Sequence, residues 1–410
     1  MMLKRARGAV TPNRYTGRQD HRQRAVGAFD CRGLKTIECL VFIGQCFHYA
    51  SISRDAWDDG PGPHRVCWDA KQAGVSSRYV EMEKERTLSS KVLITGADGF
   101  VGRHLATFLT GEGVEVLGLD QRPARSNTPW DRCEFGVCDI LDRELVMSYT
   151  ERFRPEYVFH LAAQSSVHRS WEDPELTYSI ALNGQSNVFD ALREAGLDAR
   201  VHVACSAEEY GRVDEQELPI AEDHPLRPAS PYALSKVIQD YHAIFCHQAY
   251  GTKAIVTRAF NMTGPGQSPE FVVSDFARQI AEAEAGERDP LMKVGNLEAR
   301  RDFSDVRDLV GAYWLLVREG APGEAYNVCC GSDHSIAEIL DMLLSMSKVS
   351  IRVEVDEARL RKADIPVMRG DNSKMRELVG WSPTCSLERT LADVLDWWRK
   401  EIGTGKNGMS

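Results

Sequence analysis

From residue 91 onward the apolar positions of this chain fall into two alternating patterns. Short, mainly apolar strand-like runs appear at Val92–Ile94, Val114–Leu119 (VEVLGL, alternating), Cys133–Ile140 (CEFGVCDI), Tyr157–Ala162 (YVFHLA), Val201–Ala204 and Lys253–Phe260 (KAIVTRAF). Between them lie longer stretches of helical period: after Gly102, from Pro174 to Ala195, around Tyr232, and from Phe271 to Ala285. In the last of these, Val272, Phe276, Ile280 and Ala283 share one side while Asp275, Arg278 and Glu282 share the other. Strands that read as continuous apolar runs are covered on both faces, and strands alternating with helices predict an α/β chain with a doubly wound parallel sheet.

Residues 1–81 do not share this patterning. No period of 3.6 or 2 is sustained there, and Gly, Pro, Arg, His, Cys and Trp are scattered through it. The segment carries 13 Lys and Arg against 8 Asp and Glu, five positive charges in surplus, so the remainder of this −10 chain carries −15. Arg5–Arg24 is basic and poor in acids, as organelle transit peptides are, but it is also poor in serine. Met82 opens MEKERTLSSKVLITG, a short charged lead into the first strand. The expectation is that residues 1–81 are disordered or a spurious extension, and no function is assigned to them.

Composition narrows the class. At 43% hydrophobic and 27% charged residues the chain is that of an ordinary globular protein. Its acidic balance argues against nucleic acid or an anionic membrane as the main partner, and no apolar run approaches a membrane span. The eleven cysteines lack the spacing of a disulfide framework or a zinc site, so reduced thiols in a cytoplasmic protein are expected and no metal site is assigned.

The candidate chemistry begins at VLITGADGFVGRHL, where Gly96, Gly99 and Gly102 follow the first apolar run and precede a helix. Glycines in a strand-to-helix turn let the backbone approach a pyrophosphate, and the helix N-terminus offers it N–H groups. Asp120, at the end of the second run, suits a ribose hydroxyl pair, whereas Arg122 and Arg125 suit a 2′-phosphate, leaving NAD against NADP open. Asp139 lies where an adenine amine would be met. Tyr232 and Lys236 are one helical turn apart, and an ammonium beside a phenol lowers the phenol's pKa toward a useful proton donor and acceptor. Ser206, at the end of the Val201 run, can hydrogen-bond the same substrate oxygen.

TGADGFVG, Ser206 and the Tyr232/Lys236 pair together resemble the extended short-chain dehydrogenase/reductases, over Ser89 to Glu401. The resemblance implies a Rossmann-type sheet over 89–262, with 303–330 returning to it, and a smaller α/β nucleotide-sugar domain from 263–302 and 331–402. NMTGPGQSPEFVVSDFARQI, VGNLEARRDFSDVRD and RLRKADIPVMRGDNSK are similar to the branch that acts on GDP-mannose derivatives. By that resemblance the catalytic residues are Ser206, Tyr232 and Lys236. Glu208 stands where dehydratases keep a carboxylate base. The cofactor, NAD(P)(H), is expected at Gly96, Gly99, Phe100, Val101, Gly102, Asp120, Arg122, Asp139, Ile140, Ala162, Ala163, Tyr232, Lys236 and Phe260. The GDP-sugar is expected at Gln164, Ser165, Ser206, Asn261, Arg301 and Arg361. Relatives pair through the Tyr–Lys helix, so a homodimer is expected, with Ile238, Tyr241 and Phe245 at the contact. Ala181 departs from the pattern, which has asparagine there.

RAFNMTGPGQSP and the acid at Asp120 favour reduction of a GDP-4-keto-6-deoxyhexose to a GDP-6-deoxyhexose of the GDP-rhamnose type. The alternatives are GDP-mannose 4,6-dehydration, another nucleotide-sugar epimerase or dehydratase, and, remotely, a non-catalytic dinucleotide sensor.

Overall fold

The computed structural model describes residues 36–43, 46–53, 90–125, 129–359 and 365–404. Met1–Ser77 and Arg78–Ser410 are separate compact units. In the first, Thr36–Ile43 and Cys46–Ser53 form an antiparallel hairpin in the register Thr36↔Ser53 to Ile43↔Cys46. The rest of residues 1–81, on which the expectation of disorder or a spurious extension falls, lies outside the described residues. The run TIECLVFI and its partner CFHYASIS are rich in β-branched and aromatic residues, which favour extended backbone even without alternation. Arg5–Arg24 and Met82 lie outside the described residues.

The second unit is built on a parallel sheet. Its strands are β1 (Lys91–Thr95), β2 (Glu115–Asp120), β3 (Glu134–Val137), β4 (Tyr157–His160), β5 (Arg200–Ser206), β6 (Lys253–Ala259) and β7 (Ala325–Val328). Their order is β7-β6-β5-β4-β1-β2-β3, and every pairing is parallel. The reversal of direction at β1 creates a switch point, where ligands of such sheets bind beyond the strand ends.

Alternate residues of each strand serve opposite layers. Val92 and Ile94 pack with α1 (Phe100–Gly111) and, through Leu309, Tyr313 and Leu316, with a helix that returns late in the chain. Leu93, Leu117 and Val158 face α2 (Arg143–Phe153), α3 (Gln185–Glu194) and α4 (Pro231–Tyr250) through Val146, Phe153, Val188, Phe189 and Ala243. The third strand is shorter than the run Cys133–Ile140, because Cys138–Ile140 leave the ladder into a turn. The helical stretch at Pro174–Ala195 is one path with a wide π-turn at Ile180–Gly184. A Cβ at Gly184 would lie 2.8 Å from Ile140 Cγ2, so glycine lets this turn press against the end of β3's connection. Ala181 is buried within the π-turn.

After β6, Asn261–Thr263 is a short strand, rather than the start of a bend, paired in parallel with Phe303–Asp305. α5 (Val272–Glu284) packs with α7 (Ile336–Ser345) and α8 (Leu387–Gly403) around Phe276, Ile280, Met292, Ile339, Leu340 and Leu391. Between them comes α6 (Val306–Glu319), the late-returning helix. Asp275, expected on the polar side of α5, is instead 7% exposed. It accepts hydrogen bonds from Arg359, Gln279 and Arg278, which supply the compensation a buried carboxylate needs.

Candidate active site

The polar ends of the strands open into one cleft of about 640 Å³. At one end of it lies the glycine turn. Gly96 has a φ of +67°, and a Cβ there would meet the Ala162 nitrogen at 2.8 Å. A Cβ at Gly102 would lie 2.4 Å from the Ala97 oxygen. Only hydrogen side chains allow β1, α1 and the end of β4 to approach this closely. No side chain caps α1 at Gly99, so its first turn faces the cleft with the positive end of the helix dipole. The cradle fits a dinucleotide pyrophosphate.

Asp120 ends β2 at the cleft wall, where its carboxylate accepts the Asp98 N–H at 3.0 Å. Burial holds its pKa above the usual range, against that hydrogen bond. Asp98, inside the glycine turn, accepts the Trp130 indole N–H at 3.2 Å and ion-pairs with Arg125 at 3.2 Å. Sequence reading passed over Asp98; an acid set between the glycines of such a turn was the available signal.

At the other end β5 stops at Ser206, which caps the short turn Ala207–Tyr210. Its hydroxyl oxygen accepts the Glu208 N–H at 3.2 Å, while the Glu209 carboxyl accepts the Ser206 N–H at 3.0 Å. α4 starts from Ser230, whose side chain accepts the Ala233 N–H, with Pro231 preset for the first turn. That start presents Tyr232 and Lys236 on the cleft side.

Lys236 is 5% exposed and its ammonium donates to the Ala204 carbonyl and to Gln239 Oε1, each at 2.8 Å. It sits 5.9 Å from the centre of the Tyr232 ring. Burial pushes the Tyr232 phenol above its ordinary value, and Glu208 and Glu209 push the same way, while the Ser206 hydroxyl opposes them. The Lys236 ammonium beside it is bonded to Ala204 and Gln239.

Gly96, Gly99, Phe100, Val101, Gly102, Asp120, Arg122, Asp139, Ile140, Ala162, Ala163, Ser165, Ser206, Glu208, Tyr232, Lys236, Phe260 and Asn261 all line the cleft. Gln164 does not; its side chain closes on the Ser166 backbone, donating to its carbonyl and accepting its N–H. Arg301 does not either. It is 7% exposed on a two-residue strand beside Val367–Met368 and donates to the Ile365 carbonyl at 2.6 Å. Arg361 lies outside the described residues. The cleft also takes in Val167, Phe271 and Met368, which the sequence did not single out because only their tertiary placement brings them there.

Residues 93–394 match the family model described as GDP-mannose 4,6 dehydratase. Over 316 residues the chain is 31% identical to the GDP-6-deoxy-D-mannose reductase of Pseudomonas aeruginosa, covering 77% of this chain and 99% of that protein. It is 29% identical to GDP-mannose 4,6 dehydratase 2 of Arabidopsis thaliana, covering 74% of this chain and 85% of that one. The structure of RMD from Pseudomonas aeruginosa complexed with NADPH superposes with a TM-score of 0.68 at 30% identity, over 76% of this chain and 99% of that one. A glycine-turned parallel sheet with Ser206 at a strand end and Tyr232 and Lys236 on the helix beside it, matched over this length, makes the chain a member of the GDP-mannose 4,6 dehydratase family of extended short-chain dehydrogenase/reductases.

Proposed function

We propose that this chain reduces the 4-keto group of a GDP-4-keto-6-deoxyhexose to a GDP-6-deoxyhexose of the GDP-rhamnose type, using NAD(P)H. One observation carries the reading: Ser206, Tyr232 and Lys236 share one cleft with the glycine turn, which sets a phenol and a hydroxyl where a reduced nicotinamide and a carbonyl would meet, as an acid needs in order to quench an oxyanion. The reductase from Pseudomonas aeruginosa, matched over 99% of its length, supports it. When bound, the reduced nicotinamide supplies the hydride.

Gly96, Gly99, Phe100, Val101 and Gly102 would hold the pyrophosphate, Asp120 and Arg122 the adenosine ribose, and Asp139, Ile140, Ala162 and Ala163 the adenine side. Lys236 and Phe260 would hold the nicotinamide end. Ser206 donates its O–H to the substrate carbonyl and fixes its direction, and Tyr232 gives its proton to the oxygen as charge develops there. Ser165 and Asn261 would meet the sugar nucleotide. Residues 263–302 and 331–402 would form the wall that selects it.

Dehydration is the second reading, favoured by Glu208, which lines the cleft with Tyr232 as a carboxylate base would. Incubation with GDP-mannose alone, and separately with its 4-keto-6-deoxy form plus NADH or NADPH, separates the two. The proposal expects oxidation of reduced cofactor only with the keto sugar. Water loss from GDP-mannose without added reductant would replace it with the dehydratase.

We further assign a homodimer through α4. Leu234, Tyr241 and Phe245 expose apolar surface along this helix, and Leu182 does so on the π-turn packed beside it. Sedimentation of the wild type against Tyr241→Glu/Phe245→Glu should show a dimer become a monomer. Free thiols at Cys133, Cys138, Cys205, Cys246, Cys329, Cys330 and Cys385 support a cytoplasmic setting, and among the described residues no helix is long and apolar enough to cross a membrane.

A further inference from the structure

Behind Ser206 lies a polar cluster that the chemistry above does not use. Glu209 and Asp240 are both fully buried, and their carboxyl oxygens lie within 4.8 Å of one another and of the Cys205 sulfur. Arg258, itself 6% exposed, is the cation between them. Its Nε donates to Asp240 Oδ2 at 2.7 Å, whereas Glu209 Oε2 stands 3.6 Å from that nitrogen, beyond hydrogen-bond reach. The Arg258 Nη1 is turned away, donating to the Tyr210 hydroxyl and the Glu222 carbonyl. Asp240 is thus the carboxylate matched to Arg258. Glu209 Oε2 and Asp240 Oδ1 are left buried with no donor directed at them among the described residues.

Two adjacent buried carboxyls, each with one oxygen lacking a donor, are both satisfied by one proton held between them. The other groups facing this pair are Lys236, which is committed to Ala204 and Gln239, and Tyr210, Tyr232 and Cys205, all protonated by burial. The Lys236 ammonium faces Glu209 as well, but its hydrogen bonds go to Ala204 and Gln239, and neither orphaned carboxyl oxygen receives a donor from it.

We propose that Glu209 shares a proton with Asp240 and in that form is a positioning residue for Ser206. The remaining Glu209 oxygen accepts the Ser206 N–H and fixes the residue at the end of β5. The Ser206 hydroxyl oxygen accepts the Glu208 N–H and its side chain is hydrogen-bonded to Tyr232, so fixing the Ser206 backbone also fixes the hydroxyl beside the phenol. A neutral Glu209 does this without placing a second negative charge behind the site where an oxyanion forms. This assignment rests on the catalytic reading of Ser206 and Tyr232.

Two variants and one spectrum test it. Glu209→Gln keeps an oxygen for the Ser206 N–H and supplies an N–H to Asp240, so turnover should stay within about threefold of wild type. Glu209→Leu removes both, and kcat should fall about tenfold with the KM for reduced cofactor unchanged. The infrared spectrum at neutral pH should hold a carboxylic-acid carbonyl band that disappears in Glu209→Gln. Equal loss in both variants, full turnover in Glu209→Leu, or no acid band lost in Glu209→Gln would each overturn the proposal. The band is read without any substrate, so a wrong assignment of the reaction leaves that result standing.

Discussion

The two walls of the cleft are built differently. On the cofactor side, Gly96, Asp120 and Ser206 each sit at or next to the end of a sheet strand, and Tyr232 and Lys236 lie one turn apart on a helix started by Ser230 and Pro231. Their positions follow from a few neighbouring residues. On the facing side, Asn261 and Met368 come from strands of two or three residues, whose places depend on pairing with Phe303–Asp305 and Arg300–Arg301. Gln267 and Phe271 come from the loop between. A wall made of strand ends is rigid and locally specified; one made of short pairings is specified only once distant segments meet.

The largest effect that can break this contrast is at Tyr232. Tyr232→Phe should cut turnover about 1000-fold, near 4 kcal/mol, while cofactor affinity by fluorescence titration stays near that of wild type. Retained turnover would remove the chemistry from the strand-end wall.

The next effect belongs to the sheet beneath that wall. His160 on β4 is hydrogen-bonded to Thr95 and His202 on β5 to Thr257, each at 2.9 Å, and burial drives both imidazoles down to about 3. The folded pKa values lie below the unfolded value near 6.5, so the unfolded chain takes up protons that the fold refuses. Stability from these groups is whole above about pH 6.5 and is lost as pH falls toward 3. At pH 5 the two together should cost about 4 kcal/mol, read as a falling melting temperature that His202→Asn reduces. A flat profile between pH 7 and 5 would show that they are not buried as neutral rings.

Arg301 tests the facing wall. Arg301→Met should lower stability by about 2 kcal/mol, since the Ile365 carbonyl loses its donor, and leave the KM for the nucleotide sugar little changed. A rise in that KM at constant melting temperature would bring Arg301 to the substrate. The smallest effect is at Asp120: Asp120→Asn should raise kcat/KM for NADPH relative to NADH about fivefold, roughly 1 kcal/mol, by removing a charge that repels a 2′-phosphate.

The same contrast explains what could be read from the residues alone. The sheet, the glycine turn and the Ser206/Tyr232/Lys236 set were legible because each is written in a run, a spacing or a strand end. The setting of Arg301 was not legible, because a guanidinium in VGNLEARRDF looks the same whether it faces a diphosphate or a carbonyl across a two-residue strand. Glu209 was passed over because nothing in SAEEYG distinguishes a carboxyl turned inward from its neighbour Glu208 turned to the cleft. Spacing put Lys236 near the Tyr232 ring, but only the fold reveals that its ammonium is bonded to Ala204 and Gln239.

The late return of the chain to its sheet has a consequence for how the protein is made. β7 pairs with β6, and α6 covers the face shared with α1, yet both are synthesised after α5 has been laid down. A growing chain therefore carries β6 as an open edge, and the apolar face above β1 uncovered, until residue 328 has left the ribosome. Closure of the dinucleotide-binding half is a late event in translation, and chains stopped between residues 263 and 324 would keep that edge available for pairing with other chains.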